Sequence, residues 1–349
     1  MSTTKQPGLE PRSASRSRKK AKRPKKAAGW GRRILVFLLV LLLLAAAYLA
    51  YLVFAAKDAI DTIGNPDAAP VPEEQSVKVK PVTFLLLGLD GRANGGGMNT
   101  DVIKIVSMNP KSKSATVVSV PRDAKIEFDG YKSNKANAYY ANFYSQAIKD
   151  KNDKDLAHAY ARQETKEMFG KLFGIPIDYT AVINFNGFSD VVEALGGVQV
   201  DVDMNMCYYD SVDGTNINLT AGPQTLNGKQ ALDYVRYRQS HKNCSPRTKD
   251  SSDFERNKRQ TQVIGAIADK MISLGAVTKV GKVIGAVGSN MKSDIHRDEI
   301  ENLIAKYFGM GSGSIESLPL EGTWRSPYVY LDAGKLQEAK AALNAKLDE

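Results

Sequence analysis

Two aspartates and an arginine border a glycine-rich loop in the segment "FLLLGLDGRANGGGMNTD". Asp90 and Asp101 stand at its two ends, and Arg92 lies within it. Carboxylate oxygens suit a hard cation such as Mg²⁺, which takes one or two carboxylates together with phosphate oxygens and waters. Aspartates at strand ends also cap loops by accepting backbone N–H groups. The loop is therefore a candidate metal site, with loop capping as the alternative.

Arginines recur at the ends of apolar segments farther along the chain. Arg122 follows "VVSVP", and Arg236 and Arg238 lie two apart in "ALDYVRYRQ", where a strand would direct both to one face. Arg256 and Gln260 are one helical turn apart in "DFERNKRQTQVIGAI". Guanidinium groups offer forked donors that match phosphate oxygens. Their joint placement favours a metal-bound polyphosphate, although each arginine alone could be a surface or ion-pair residue.

Other common catalytic devices are disfavoured by the residues available. The three histidines, His158, His241 and His296, stand in segments with no shared motif, which argues against a Ser-His-Asp triad or a His-based zinc site. The glycine loop is followed by another strand pattern and not by the helix of a dinucleotide fingerprint. No Walker lysine motif is present.

The elements that must position these residues are mixed helices and strands. Apolar runs predict strands in "VTFLLLGL", "VIKIVSMN", "ATVVSV", "YTAVINFNGF" and "GVQVDVDM". Helical spacing predicts one helix in "GFSDVVEALGG" and another ending at Gly174, with Leu156, Tyr160, Met168 and Leu172 on one face. The fold class expected is α/β, an α-β-α layered domain with a central mixed sheet.

Charge is concentrated at the amino terminus. Residues 1–33 hold twelve lysines and arginines and one acid, so this tail carries +11 when the whole chain carries +10. The remainder is close to neutral, and a nucleic-acid partner for the folded domain is not expected.

An uncharged run of 23 residues, 34–56, follows the basic tail. Its length is sufficient to cross a bilayer core of roughly 30 Å. It predicts an uncleaved single-pass anchor, with a cleaved signal peptide or a buried helix as alternatives. The cations before it place the tail in the cytoplasm and the rest of the chain outside the cell membrane.

Residues 57–81 are rich in proline and alanine and are interpreted as an extracellular stalk beyond the anchor. Cys207 and Cys244 are an even pair in an oxidising compartment and thus a candidate disulfide, unless they are unrelated thiols.

The motifs "FLLLGLDGR", "NTDVIKIVSMNP", "VVSVPRD", "NKANAYYA", "LTAGPQTLNGKQALDYVRYR" and "ERNKRQ" occur in an order and spacing that resembles the LytR-CpsA-Psr (LCP) family. The resemblance implies a membrane-anchored, Mg²⁺-dependent phosphotransferase, with Mn²⁺ as a substitute. Such an enzyme moves a glycopolymer from a polyprenyl-diphosphate carrier to a peptidoglycan hydroxyl through a phosphodiester. The resemblance also implies a catalytic domain at residues 82–275 and a carboxy-terminal extension at residues 276–349, packed on or continuing that domain. It implies further that the lipid occupies a tunnel between sheet and helices, for which Phe143, Phe169, Phe173, Ile264 and Met271 are candidates.

Matching positions carry the family's site residues to this chain. The acids Asp90 and Asp101 would be metal-associated and, with Arg122, catalytic. The pyrophosphate-binding set implied is Arg122, Arg236, Arg238, Arg256 and Gln260, with Arg92 and Lys135 as lesser members.

Asn99 stands where many members have arginine, so one phosphate contact is expected to be missing or supplied by another residue such as Arg259. If Cys244 pairs with Cys207, the segment "QSHKNCSPRTKDSS" would be a pinned flap over the site. Asp123 could be the base that deprotonates the acceptor or could orient Arg122.

Two alternatives to transfer stay open. The same site could hydrolyse a polyprenyl diphosphate, or the protein could bind envelope lipids or regulate without catalysis.

Overall fold

The computed structural model describes residues 57–58, 60–61, 64, 68–90, 98–211, 214–273, 283, 285–286, 288 and 290–349. The predicted tail, the predicted anchor at 34–56 and Arg92 lie outside these residues. Within the described ranges, no helix combines the length and the apolar character needed to cross a membrane.

The described strands and helices alternate irregularly along the chain. The strands are β1 (Val82–Leu89), β2 (Thr100–Asn109), β3 (Ser114–Ser119), β4 (Lys125–Phe128), β5 (Tyr131–Lys135), β6 (Tyr179–Asn184), β7 (Val198–Val202), β8 (Met206–Asp210), β9 (Thr215–Leu219), β10 (Gly222–Leu226), β11 (Met291–Ser293), β12 (Ile315–Pro319), β13 (Gly322–Arg325) and β14 (Tyr328–Leu331). The α-helices are α1 (Tyr139–Lys151), α2 (Lys154–Phe173), α3 (Phe185–Ala194), α4 (Gly228–Arg236), α5 (Asp253–Ser273), α6 (Arg297–Tyr307) and α7 (Ala333–Asp348). Short 3₁₀ helices occupy Glu73–Gln75, Ala136–Ala138 and Ser312–Ser314.

A six-stranded sheet in the order β11-β6-β1-β2-β3-β12 forms the centre of the described fold. β1 runs parallel to β6 and antiparallel to β2, while β3 runs antiparallel to β2 and parallel to β12. The sheet is therefore mixed, and the expected fold class is confirmed for the domain. Two-stranded sheets pair β4 with β5, β7 with β10, β8 with β9, and β13 with β14.

Alternation along the strands divides the core into two layers. Phe84 and Val106 belong to one buried cluster, which α3, α4 and α5 complete. Leu85 and Ile105 belong to the other cluster, which includes residues of α1, α2 and α7. Because side chains of a strand alternate between its faces, each central strand supplies both clusters, as a sheet covered by helices on both sides requires.

The predicted contact face of α2 is wrong in part. Leu156 is 54% exposed, whereas Ala157, Ala161, Met168 and Phe169 are buried. The buried face is thus displaced by about one residue, because small alanines let the helix lie close to α1. The helix ends as predicted, with Gly174 in the left-handed conformation that glycine adopts without steric cost.

The segments before and after residues 82–275 both contact that domain. Within 57–81, Ser76 donates to Glu299 of α6 at 2.7 Å, and the backbone N–H of Val77 donates to the same carboxylate at 2.8 Å. Within 276–349, β11 and β12 add both edge strands to the central sheet. The described part of the segment predicted as a stalk therefore packs against the fold at Ser76 and Val77.

A lysine is buried at the centre of this fold. Lys104 on β2 is 1% exposed, and its ammonium donates to the hydroxyl of Ser119 at 2.6 Å and to that of Thr261 at 3.5 Å. Burial lowers the pKa of Lys104 from 10.5 to about 8. The charged form is therefore destabilised in the folded state relative to the unfolded chain.

Lys104→Met is expected to stabilise the protein: its free energy of unfolding at pH 7 should be about 3 kcal/mol higher than that of the native chain. Methionine removes the cost of burying the charge. Since the folded-state pKa is the lower one, the unfolded chain binds more protons between pH 8 and 10.5, and stability of the native chain rises over that range. Urea unfolding at pH 7 and 9.5 should show the difference shrinking. Lys111→Met, at an exposed turn, is the control, and a difference independent of pH would contradict the assignment.

Candidate active site

Several strand ends meet at one edge of the central sheet. β1 ends before Asp90, β3 ends shortly before Arg122, and β2 begins with Thr100 and Asp101. Because β2 runs antiparallel to both neighbours, its first residues lie beside their carboxyl ends. The backbone N–H of Asp90 donates to Asn99 O at 3.2 Å across the base of the loop. The sheet thus brings both aspartates and the first arginine together, as predicted.

A polar cavity of about 330 Å³ opens at this edge. Six of the predicted site residues line it: Asp90, Asp101, Arg122, Arg236, Arg238 and Arg256. Four guanidinium groups facing one space repel each other unless an anion lies between them. The cavity is therefore suited to a group with several negative charges.

Arg122 is held by acids on two sides. Its Nη1 donates to Asp101 Oδ1 at 2.8 Å, and its Nε lies 3.6 Å from Asp123 Oδ2. Burial disfavours the charge of Arg122, but attraction to Asp101, Asp253 and Asp123 outweighs it and raises the pKa. Its Nε is buried and makes no hydrogen bond. Arg122 is thus a cation that neighbouring acids fix in place at the cavity.

Arg256 belongs to the first turns of α5 and is 4% exposed. Its Nη1 donates to Asp253 Oδ1 at 2.8 Å, whereas its Nε makes no hydrogen bond. Burial and the nearby Arg122 lower the pKa of Arg256, against the attraction of Asp253. Burial alone would raise the pKa of Asp253, but Arg256 and Arg122 lower it. A phosphate oxygen at this place would offset the repulsion between the two arginines.

The strand expected for Arg236 and Arg238 is wrong. Arg236 is the last residue of α4, a helix that a reciprocal capping box between Asn227 and Gln230 begins. The chain extends after the helix, so both arginines still reach the cavity, and Tyr237 between them is fully buried. The guanidinium of Arg236 lies 4.6 Å from the ring centre of Phe185. The capping box favours a helix here, although the two-residue spacing of the arginines also fits a strand.

An apolar cavity of about 270 Å³ lies between the sheet and helices α3, α4 and α5. Its walls include Leu86, Phe188, Val235 and Ile264. Gln260 borders this cavity, one turn beyond Arg256 in the polar one. The two spaces therefore adjoin along α5, so a molecule with an anionic head and an apolar chain fits both.

Only part of the expected lipid-contacting set faces this space. Ile264 lines the apolar cavity, but Phe169 and Phe173 are buried in the cluster on the opposite face of the sheet, and Phe143 packs against that same cluster. Met271 packs against the buried cluster that contains Phe84 and Val106, but it does not line the cavity. The reason is topological, because α1 and α2 cover the other face of the sheet.

Lys135 and Arg259 lie outside the polar cavity. The Lys135 ammonium is 2.8 Å from Asp123 Oδ1, so it reaches Arg122 only through that carboxylate. Arg259 is 2% exposed, and its Nε and Nη2 each approach Asp203 at 2.9 Å. The expectation that Arg259 replaces a contact missing at Asn99 is wrong, since its donors are engaged by Asp203.

The opposite wall of the cavity was not foreseen from the sequence. It includes Tyr208, Asp210 and Thr215 of the β8–β9 hairpin, together with Gln239. Both strands are short, and the turn signal "DG" between them was the only indication. The disulfide between Cys207 and Cys244 ties the hairpin to segment 239–252, so the candidate pairing is confirmed. Of the segment predicted as a pinned flap, Gln239 lines the cavity.

The acids of the cavity fit a hard cation. No group of three His, Cys, Asp or Glu side chains in the described part of the chain is arranged to hold a metal by itself. Asp90 and Asp101 nevertheless line one space with four arginines. Two carboxylates completed by phosphate oxygens and water are a common set for Mg²⁺. The donor set is thus compatible with a metal that arrives with a phosphorylated ligand.

Two relatives from Bacillus subtilis (strain 168) are similar along most of the chain. Polyisoprenyl-teichoic acid--peptidoglycan teichoic acid transferase TagV is 30% identical over 320 residues, which cover 89% of this chain and 76% of the relative. TagT, a transferase with the same description, is 30% identical over 353 residues, which cover 95% of this chain and 98% of the relative.

Solved structures agree with these similarities. The crystal structure of B. subtilis TagV matches with a TM-score of 0.59 and 29% identity, covering 77% of this chain and 98% of that one. A structure described as TagT bound to LI-WTA matches with a TM-score of 0.57 and 26% identity, and the match covers 82% of this chain and 98% of that one. The pattern of the LytR_cpsA_psr family matches residues 51–346. This protein therefore belongs to the LytR_cpsA_psr family.

Proposed function

We propose that this protein transfers an anionic glycopolymer, as its phosphate ester, from a polyprenyl-diphosphate carrier to a hydroxyl of peptidoglycan. The junction of the arginine-lined cavity with the apolar cavity, at Arg256 and Gln260, carries this proposal. A pyrophosphate joined to an isoprenoid chain has the two parts that these spaces fit. The activities named for TagV and TagT, which use polyisoprenyl-linked teichoic acid and peptidoglycan, support the substrate classes.

Arg122, Arg236, Arg238 and Arg256 bind the pyrophosphate. Asp101 and Asp253 hold the guanidinium groups of Arg122 and Arg256 in place at the cavity. The apolar cavity receives the first isoprene units. Fixed cations around a transferring phosphoryl group stabilise the charge that develops in the transition state.

The reaction exchanges one phosphorus–oxygen bond for another. The acceptor oxygen attacks the phosphorus that bears the glycan, the bond from that phosphorus to the bridging oxygen breaks, and polyprenyl phosphate leaves. A phosphodiester results, and the acceptor proton is released. The carrier's pyrophosphate supplies the free energy, so an enzyme outside the cell needs no ATP.

Asp90 and Asp101 would hold Mg²⁺, or Mn²⁺ in its place. The ion would neutralise charge on the pyrophosphate and on the leaving phosphate. Asp123 is a positioning residue in this scheme, because its carboxylate joins Lys135 to Arg122.

The location proposed is the outer face of the cell membrane. Residues 34–56 anchor the chain with its amino terminus in the cytoplasm, and the domain meets its lipid-linked donor at the bilayer. The disulfide of Cys207 and Cys244 supports this placement, because disulfides persist in oxidising compartments. A reporter fused to the carboxyl terminus tests the topology: activity of a reporter that works only in the cytoplasm would overturn it.

The decisive experiment uses the full chain in detergent with Mg²⁺, a polyprenyl-diphosphate-linked saccharide and peptidoglycan fragments. Mass spectrometry should find a peptidoglycan-linked phosphosaccharide with the native chain and none with Asp101→Ala. EDTA should abolish the product, and added Mg²⁺ or Mn²⁺ should restore it. Lipid monophosphate and sugar phosphate without a linked product would establish hydrolysis instead, and full activity of Asp101→Ala would overturn the site.

A further inference from the structure

Exposed aromatic rings mark the hairpin of β13 and β14. Trp324 is 55% exposed and Tyr330 is 39% exposed, and the Tyr328 ring lies 6.4 Å from that of Tyr330 in an edge-on arrangement. Large aromatic surfaces left open to water on a short hairpin are typical of contact surfaces. The hairpin therefore offers stacking faces that the core of the fold does not use.

Cations accompany these rings. The Lys135 ammonium lies 5.9 Å from the centre of the Trp324 ring. The Lys125 ammonium and the Arg325 guanidinium lie 5.6 and 5.5 Å from the centre of the Tyr330 ring. Cation–π contacts hold ring and cation side by side. A surface of rings and cations suits a sugar chain that carries carboxylates, because sugar C–H faces stack on rings and the carboxylates pair with the cations.

The hairpin is connected directly to the candidate site. The backbone N–H of Val329 donates to Asp123 O at 2.8 Å, and Val329 forms a bridge with Ala124. Trp324 contacts Lys135, which pairs with Asp123 beside Arg122. A ligand on Trp324 is thus separated from Arg122 by only two side chains.

The position of the hairpin also agrees with the direction of transfer. The apolar cavity lies on the sheet face covered by α3, α4 and α5, whereas Ala124, Ile126 and Ala136 around the hairpin contacts belong to the opposite cluster. Attacking and leaving oxygens are roughly in line in phosphoryl transfer. Because the lipid phosphate leaves toward the apolar cavity, the acceptor must enter from the other side, where the hairpin lies.

We propose that the β13–β14 hairpin, through Trp324 and Tyr330 and together with Lys135 of β5, binds the acceptor, a carboxylate-bearing glycan strand of peptidoglycan. This inference rests on the proposed function, since it identifies where the second substrate binds. The donor glycan is assigned to the other wall, formed by Tyr208, Asp210 and Gln239, because these residues line the cavity that holds the pyrophosphate.

The test measures steady-state transfer by the full chain with each substrate varied in turn. Trp324→Ala and Tyr330→Ala are expected to raise the KM for soluble peptidoglycan strands about 10-fold and leave the KM for the lipid-linked donor within 2-fold. Trp324→Phe keeps a ring and should recover most of the loss. Phe308→Ala removes an aromatic side chain of similar exposure, 40%, directly after the end of α6 and is the matched control.

A binding measurement without turnover separates this inference from the proposed function. Calorimetry with peptidoglycan strands alone should show binding by the native chain and about 10-fold weaker binding by Trp324→Ala. Binding that persists when no transfer product forms would support the hairpin and overturn the function. Unchanged acceptor KM and affinity in both alanine variants would overturn the hairpin, as would a selective rise in donor KM.

Discussion

Arg122→Ala is expected to lower kcat/KM for transfer by about 10³-fold, the upper range for loss of one preorganised charged donor. Arg122 is the guanidinium that two acids, Asp101 and Asp123, hold at the mouth of the cavity. Its removal leaves Asp101 without its hydrogen-bond donor and the pyrophosphate without a fixed cation. Both effects raise the transition-state free energy more than that of the bound donor, so most of the loss should appear in kcat.

The conservative variant distinguishes charge from shape. Arg122→Lys keeps a cation but loses the forked donors, and an ammonium cannot serve Asp101 and a phosphate oxygen with the same geometry. We expect a loss of about 10²-fold for it. Single-turnover assays with saturating donor measure both variants.

Arg297→Ala is the matched control for these substitutions. Arg297 pairs with Asp61 on the surface and its side chain is 49% exposed, so activity and unfolding should stay near native. If Arg122→Ala folds as the native chain does and retains more than a tenth of its activity, Arg122 does not contact the transferring phosphate.

The strands of the central sheet could be predicted because each carries a local signal. The runs that contain Leu85 and Ile105 alternate between two buried faces, and the boundaries of β1 agree with the predicted segment. Asp90, Asp101 and Arg122 could likewise be placed, since they stand at the ends of neighbouring strands. These residues converge because strands that follow one another along the chain with short connections usually lie next to each other in a sheet, as β1, β2 and β3 do.

The errors lie where distant contacts decide the outcome. Arg259 stands in the same motif as Arg256, yet its side chain turns to Asp203, 56 residues earlier in the chain. Nothing in the local pattern of α5 distinguishes the two arginines. Arg236 was assigned to the wrong element because a two-residue spacing fits a strand and also the end of a helix followed by extended chain.

The β8–β9 wall illustrates the same limit for a whole element. Met206–Asp210 and Thr215–Leu219 are short and partly polar, so their alternation is weak. They reach the site because a covalent link and the hydrogen bond from His241 N to Cys207 O hold segment 239–252 against them. This wall of the cavity therefore depends on contacts between segments that are distant in sequence, which no local pattern indicates.

Replacing both cysteines by serine, in Cys207→Ser/Cys244→Ser, is expected to lower the free energy of unfolding by about 4 kcal/mol. The disulfide joins residues 37 apart in sequence, and without it the unfolded chain regains the entropy of that loop. Guanidinium unfolding measures the loss. A thiol reductant should lower the stability of the native chain to that of the variant and leave the variant unchanged.

The effect on catalysis should be smaller than the effect on stability. Two backbone hydrogen bonds of position 207 hold segment 239–252 without the disulfide. The N–H of His241 donates to the carbonyl of residue 207 at 3.1 Å, and the N–H of residue 207 donates to the Thr248 hydroxyl at 3.2 Å. The wall therefore stays docked in the folded state but moves more, and we expect the donor KM to rise a few-fold with kcat little changed. Equal unfolding free energies for the two proteins would show that the link does not restrict the unfolded chain. A loss of activity as large as that of Arg122→Ala would instead mean that the link positions the arginines themselves, because Arg238 directly precedes segment 239–252.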